Sequence, residues 1–131
     1  MNPTFSVLGL VVADMDRSLA FYRRLGLAVP ADAGGPHAQI PLPGGLQLML
    51  DTREEIQSFD PEWTAPQGSP RAALSFECAS PAAVDETFET LVGAGATPHL
   101  KPWDAFWGQR YATLRDPDGN GIDLFCTLPT S

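Results

Sequence analysis

The chain is written twice, and that repeat restricts its fold more than any other feature. Residues 5–12 form a near-continuous apolar run with the look of a buried strand. The run stops at Asp14-Met-Asp16, whose short acidic side chains can cap a helix and favour its positive end. Met15, Leu19, Tyr22 and Leu25 then recur at spacings of four, three and three, one apolar helix face ended by Gly26. After a breaker-rich loop over residues 30–36, segments 38–42 and 46–50 flank Pro43-Gly-Gly45 as a hairpin. The same order returns. Residues 72–78 alternate with a period of two, Ser80 and Pro81 open a helix, and Val84, Phe88, Leu91 and Val92 stripe it. Segments 109–115 and 121–126 then flank Asp116-Pro-Asp-Gly119 as a second hairpin. Each half therefore reads as strand, helix, then two or three strands.

Strand alternation assigns faces. Leu46, Leu48 and Leu50 share one side, with Gln47 and Met49 on the other. Ile122, Leu124 and Cys126 oppose Asp123 and Phe125, and Ser75 and Glu77 oppose Leu74, Phe76 and Cys78. The leucine-rich faces belong under the helices. A sheet with helices on one side only can curl its mixed face around a cavity, where Tyr111 and Thr113 are expected to join it.

The halves differ in length. From Pro30 the first reaches its Gly44 turn in 14 residues, whereas the second needs about 20 from Pro98 to Asp118. The excess holds Lys101-Pro-Trp-Asp-Ala-Phe-Trp-Gly-Gln-Arg-Tyr111, a Pro- and Gly-bounded connector crowded with rings. Such a cluster with a few polar neighbours suits a flat organic ligand. Trp103, Trp107 and Tyr111 are its expected contacts, and Phe106 is expected to pack inward. A second irregular segment, 51–70, carries Phe59 and Trp63, so two aromatic walls are conceivable. Gln47 and Asp51 are candidate polar anchors.

Composition narrows the classes of partner. A net charge of −8 argues against nucleic acid, which needs clustered Lys and Arg. No apolar stretch approaches the length of a membrane span. The two cysteines, Cys78 and Cys126, lack metal spacing and read as reduced thiols of a cytoplasmic protein. His37, in a Gly-Pro loop, and His99, after Pro98, are expected to face solvent.

The opening Leu10-Val-Val-Ala-Asp-Met-Asp-Arg-Ser-Leu-Ala-Phe-Tyr22 and the closing Arg115-Asp-Pro-Asp-Gly-Asn-Gly-Ile-Asp-Leu-Phe125 resemble the vicinal oxygen chelate superfamily. That superfamily contains glyoxalase I, extradiol dioxygenases and bleomycin-binding proteins. The resemblance implies an α+β fold: two tandem βαβββ modules forming a curled mixed-sheet cup, helices on the outer face. Module one would span about residues 4–51, a connector 52–70 and module two 71–128, in a single domain over residues 1–131. Within the superfamily, Ser58-Phe-Asp-Pro-Glu-Trp63 and the 101–111 segment are similar to the mitomycin-binding resistance members.

Metal-dependent members draw four ligands from four strands, usually His, Glu, His and Glu. Carried over by motif, those positions fall on Val7, Gln47, Arg71 and Asp123. Valine cannot ligate and arginine repels a cation, so neither metal nor other cofactor is expected. A salt bridge between Arg71 and Asp123 is expected instead. The resemblance then implies metal-free sequestration of an aromatic natural-product drug in a homodimer cavity, with exchanged halves as one arrangement. Gln47, Met49, Asp51, Phe59, Trp63, Trp103, Trp107, Tyr111 and Thr113 would line it, with no catalytic residue. The alternative is a metal-dependent lyase, isomerase or dioxygenase of the glyoxalase type.

Overall fold

The computed structural model describes residues 2–130, and the backbone divides into two compact units after Pro66. In the first unit, strand β1 (Val7–Val12) leads into helix α1 (Met15–Arg24), and strands β2 (His37–Pro41) and β3 (Gln47–Thr52) follow. Asp14 caps α1 by accepting from the Arg17 N–H at 3.0 Å. The helix buries Met15, Leu19, Phe21 and Tyr22. Its end is marked by Gly26, which takes the left-handed conformation at φ 92°. The strands order β1-β3-β2, with β3 parallel to β1 and antiparallel to β2. Buried Val12, Ala38, Ile40, Leu48 and Leu50 form the side that packs with α1.

β1 is less enclosed than its apolar composition suggests. It begins at Val7 rather than Phe5, and its residues alternate in exposure. The connector also holds an unforeseen helix, α2 (Arg53–Gln57), because Thr52 accepts from the Glu55 N–H and caps it.

In the second unit, strand β4 (Ala73–Glu77), helix α3 (Pro81–Gly93) and strands β5 (Thr97–Ala105), β6 (Gln109–Arg115) and β7 (Gly121–Thr127) form a sheet ordered β4-β7-β6-β5. Ser80 caps α3 by accepting from the Ala83 N–H at 3.1 Å, with Pro81 in the first turn. Val84, Phe88 and Leu91 of α3 are buried, as are Ala112, Leu114, Ile122 and Leu124 of the sheet. Arg110 points to the helix side. Its guanidinium donates to both oxygens of Asp85 on α3, at 3.0 and 3.2 Å, and to Asp104 on β5 at 3.1 Å.

This is the α+β fold of two tandem modules, related by repetition of strand, helix and strands. The second module is complete. In the first, residues 27–36 form no strand where the second has β5. Pro30, Gly34, Gly35 and Pro36 in that stretch leave too few ladder donors and too much freedom for a strand. The ring-rich segment is correspondingly an edge strand and a tight turn, not an irregular connector. Pro98 and Pro102 mark it as an edge, because proline cannot donate to a neighbouring strand.

Candidate functional site

Register brings the second module's mixed side chains into rows. Glu77 pairs with Phe125, Phe125 with Tyr111, and Tyr111 with Trp103. One row on, Ser75 pairs with Asp123, and Asp123 with Thr113. These residues lie on the face opposite α3. The turn from β5 to β6 is made by Phe106, Trp107 and Gly108, whose φ of 92° suits glycine. It folds the Trp107 ring back onto the sheet, where its indole N–H donates to Gln109 Oε1 at 2.8 Å.

The rings meet edge to face. Trp103 and Trp107 lie 6.0 Å apart at 90°, Trp103 and Tyr111 5.7 Å apart at 74°, and Trp107 and Tyr111 5.3 Å apart at 77°. Each ring therefore steadies the others in the geometry that aromatic quadrupoles prefer. Trp107 remains 48% exposed. Phe106, expected inside, is 98% exposed, and its ring meets that of Trp107 edge to face at 5.0 Å. Its place in a three-residue turn between β5 and β6 puts it beyond reach of the core.

Tyr111 is held from its other end. Its hydroxyl donates to Asp123 Oδ2 at 2.5 Å, and the Ser75 hydroxyl lies 3.5 Å from the same oxygen. Burial, then the bond to Asp123 and its charge, push the Tyr111 pKa up to about 12. The phenol is thus a standing donor that fixes the ring's angle. Asp123 turns to Tyr111 and Ser75, and not to Arg71 as expected, because Arg71 lies outside β4. Thr113 also has a task within the sheet. Its Oγ1 accepts from the Leu100 N–H at 3.1 Å, at the irregularity where β5 shifts register against β6.

The first module's open face gathers Gln47, Met49 and Asp51 on β3. Val7, Gly9 and Val11 stand across from them on β1, and Pro41, Gln39 and His37 on β2. Asp51 is 6% exposed, and His37 Nδ1 lies 2.6 Å from its Oδ1. Asp51 is therefore not a free anchor, and His37 is no loop residue but the first of β2, tied down by its cross-strand neighbour. Sequence reasoning missed this pair because it depends on the register of β2 against β3. Phe59 and Trp63 follow α2. Phe59 is exposed, and the half-buried Trp63 accepts at its carbonyl from the Gln57 side chain at 3.1 Å. Among the described residues of the first unit, neither ring pairs with another.

Fold and site together define a small binding or catalytic module built by duplication. The chain belongs to the glyoxalase/bleomycin resistance protein/dioxygenase superfamily, whose family model matches residues 4–124. Its structure is similar to that of a glyoxalase/bleomycin resistance protein/dioxygenase family enzyme from Burkholderia phytofirmans PsJN, at TM-score 0.81 and 19% identity, covering 96% of this chain and 100% of that one. A glyoxalase/bleomycin resistance protein/dioxygenase from Nocardioides matches at TM-score 0.74 and 25% identity, over 100% and 87% of the two chains. TioX from Micromonospora sp. ML1 matches at TM-score 0.63 and 24% identity, over 96% and 100%. No curated protein matches the chain. The superfamily holds both enzymes and binding proteins.

The donor set does not suit the metal that enzymes of this superfamily use. Val7, seven residues before the cap Asp14, stands directly opposite Gln47. The second-module residue seven before its cap, Ser80, is Ala73, the first of β4, so Ala73 and not Arg71 is the counterpart. Valine and alanine offer no lone pair, and Asp123 is engaged by Tyr111. Among the described residues, no three of His, Cys, Asp or Glu gather as a metal site, and no helix is long and apolar enough to cross a membrane.

Proposed function

We propose that this protein binds and sequesters an aromatic small molecule without metal and without making or breaking a bond. The observation that carries this reading is the Trp103–Trp107–Tyr111 corner. Two indoles at right angles offer one ring to stack on a planar ligand and another to meet its edge. Tyr111, anchored by Asp123, keeps that corner rigid, so little freedom is lost on binding. Stacking on each ring is worth about 0.5–1.5 kcal/mol beyond the area buried, enough for useful affinity from several rings.

Two further features support binding over chemistry. Val7 and Ala73 cannot ligate at strand positions where metal-dependent members need donors. The carboxylate at Asp123 serves to orient a ring. The ligand class that fits is a planar, polycyclic natural product of the mitomycin or quinoxaline kind, and the role that follows is protection of the cell from it. Gln47, Met49, Phe59 and Trp63 are proposed as further contacts. A cytoplasmic homodimer is the proposed working form, for which exposed Phe5, Leu100 and Phe106 supply apolar surface. Exchanged halves are one way to build it.

Calorimetric titration with such a drug, followed by mass analysis of the recovered compound, tests this. Saturable heat and an unchanged ligand mass are expected. Turnover of the drug, or no heat with any planar aromatic, would contradict it.

A further inference from the structure

The aromatic corner makes no use of the His37–Asp51 pair. The two residues are direct cross-strand neighbours on the open face of the first sheet. Their separation of 2.6 Å is that of a short, charge-assisted bond. The Asp51 side chain is 9% exposed and that of His37 43%. A carboxylate so enclosed has to accept, so Nδ1 of His37 carries the proton and Nε2 is left for another partner. Such a buried carboxylate holding one nitrogen of a half-exposed imidazole is how a general base is oriented.

The neighbouring side chains suit a flat, oxygen-bearing ring. Gly9 has no Cβ, and an added one would stand 3.3 Å from Met49 Cε, so Met49 lies low over β1. A thioether lying on glycine makes a soft, polarizable floor for an aromatic ring. Gln39 and Gln47 flank Met49 on the same face and can meet carbonyl or hydroxyl groups. Val11, across from Asp51, adds an apolar edge.

We propose that His37, positioned by Asp51, takes the hydroxyl proton of a phenol-bearing small molecule bound on this face. The O–H bond of the phenol breaks and an N–H bond forms at His37 Nε2. The phenolate stays beside the imidazolium, whose charge Asp51 offsets, and no oxidant or co-reactant is required. His37 would touch the ligand, and Asp51 would act through it. The proposal shares Gln47 and Met49 with the contacts proposed above but uses no ring of the aromatic corner, and it survives if that corner binds nothing.

The probe is 4-nitrophenol, whose absorption band moves when it ionises, held at a pH below its own ionisation. Titration with the full chain should shift the band saturably toward that of the phenolate. His37→Gln, at a half-exposed position where folding can be confirmed by circular dichroism, should abolish the shift. Asp51→Asn should weaken it tenfold or more, and Asp51→Glu should restore part of it. His99→Gln, on exposed β5, should leave it intact. A strand-pinning role alone would make His37→Gln lower the melting temperature while the band still shifts. That result, or no shift with the folded wild-type chain at saturating probe, overturns the proposal. Because the readout is the probe's own spectrum, failure here is distinct from failure of tryptophan-based binding.

Discussion

The open face of the first sheet carries His37, Gln39, Gln47, Met49 and Asp51, whereas that of the second carries Trp103, Tyr111, Thr113, Asp123 and Phe125. Both modules share the capped helix and the leucine-rich underside. They diverge in one strand. The second module has β5, and β5 with its turn supplies Trp103, Phe106 and Trp107. The first has a breaker-rich stretch in that place and shows smaller, more polar side chains. Duplication thus reproduces the scaffold, while the edge strand and the open faces carry the chemistry in which the modules differ.

The turns that close the two hairpins offer the sharpest contrast. The first relies on Gly44 and Gly45, at φ 83° and 85°. The second relies on a side chain. Asp116 is 2% exposed and accepts from the N–H groups of Asp118 and Asn120 and from the Asn120 amide, each at 2.9 Å. Asp116→Ala should therefore cost about 2 kcal/mol in chemical denaturation by removing three bonds from part-buried donors. A loss below about 0.5 kcal/mol would show that the backbone alone holds this turn.

Glycines within the strands should separate the modules next. A Cβ on Gly121 would lie 2.8 Å from the backbone oxygen of Ala72, which cannot easily move, whereas one on Gly9 meets only the flexible end of Met49. Gly121→Ala should destabilise by about 2 kcal/mol and Gly9→Ala by less than about 1 kcal/mol. Equal losses in thermal unfolding would mean that β4 and β7 adjust as freely as β1 and β3.

The smallest effect concerns pH. In the folded chain Tyr111 ionises at about 12, against an ordinary tyrosine value of about 10. The raised value means that its contribution to stability is complete below pH ~10 and fades as pH climbs through ~12. Carbon-13 NMR of the tyrosine rings should show Tyr111 ionising late, and Asp123→Asn should bring that ionisation earlier. Unchanged ionisation in Asp123→Asn would remove Asp123 as the anchor of the ring.

Much of the scaffold was legible in the residues. Asp14 and Ser80 announce their helices through short acceptor side chains before apolar stripes, and period-two alternation correctly put Gln47, Met49, Asp123 and Phe125 opposite the leucines. What escaped was long-range. The 97–105 strand reads as a loop because prolines and rings obscure alternation, and only pairing with β6 reveals it. Phe106 looks like core by composition, yet a tight turn exposes it. Asp51 looks like a free anchor until the register of β2 sets His37 beside it. Alternation gives only the face of Thr113, and its acceptance from the Leu100 N–H depends on the register of β5 against β6.

The second module's aromatic corner is proposed to bind a planar ligand without metal. Tryptophan fluorescence of the chelator-treated chain, titrated with a mitomycin- or quinoxaline-type drug, tests it most directly. Saturable quenching that chelation leaves unchanged is expected, with Trp107→Ala weakening affinity roughly thirtyfold, the size of an aromatic anchor worth about 2 kcal/mol. Quenching that vanishes with the metal, or that Trp107→Ala leaves untouched, would contradict it.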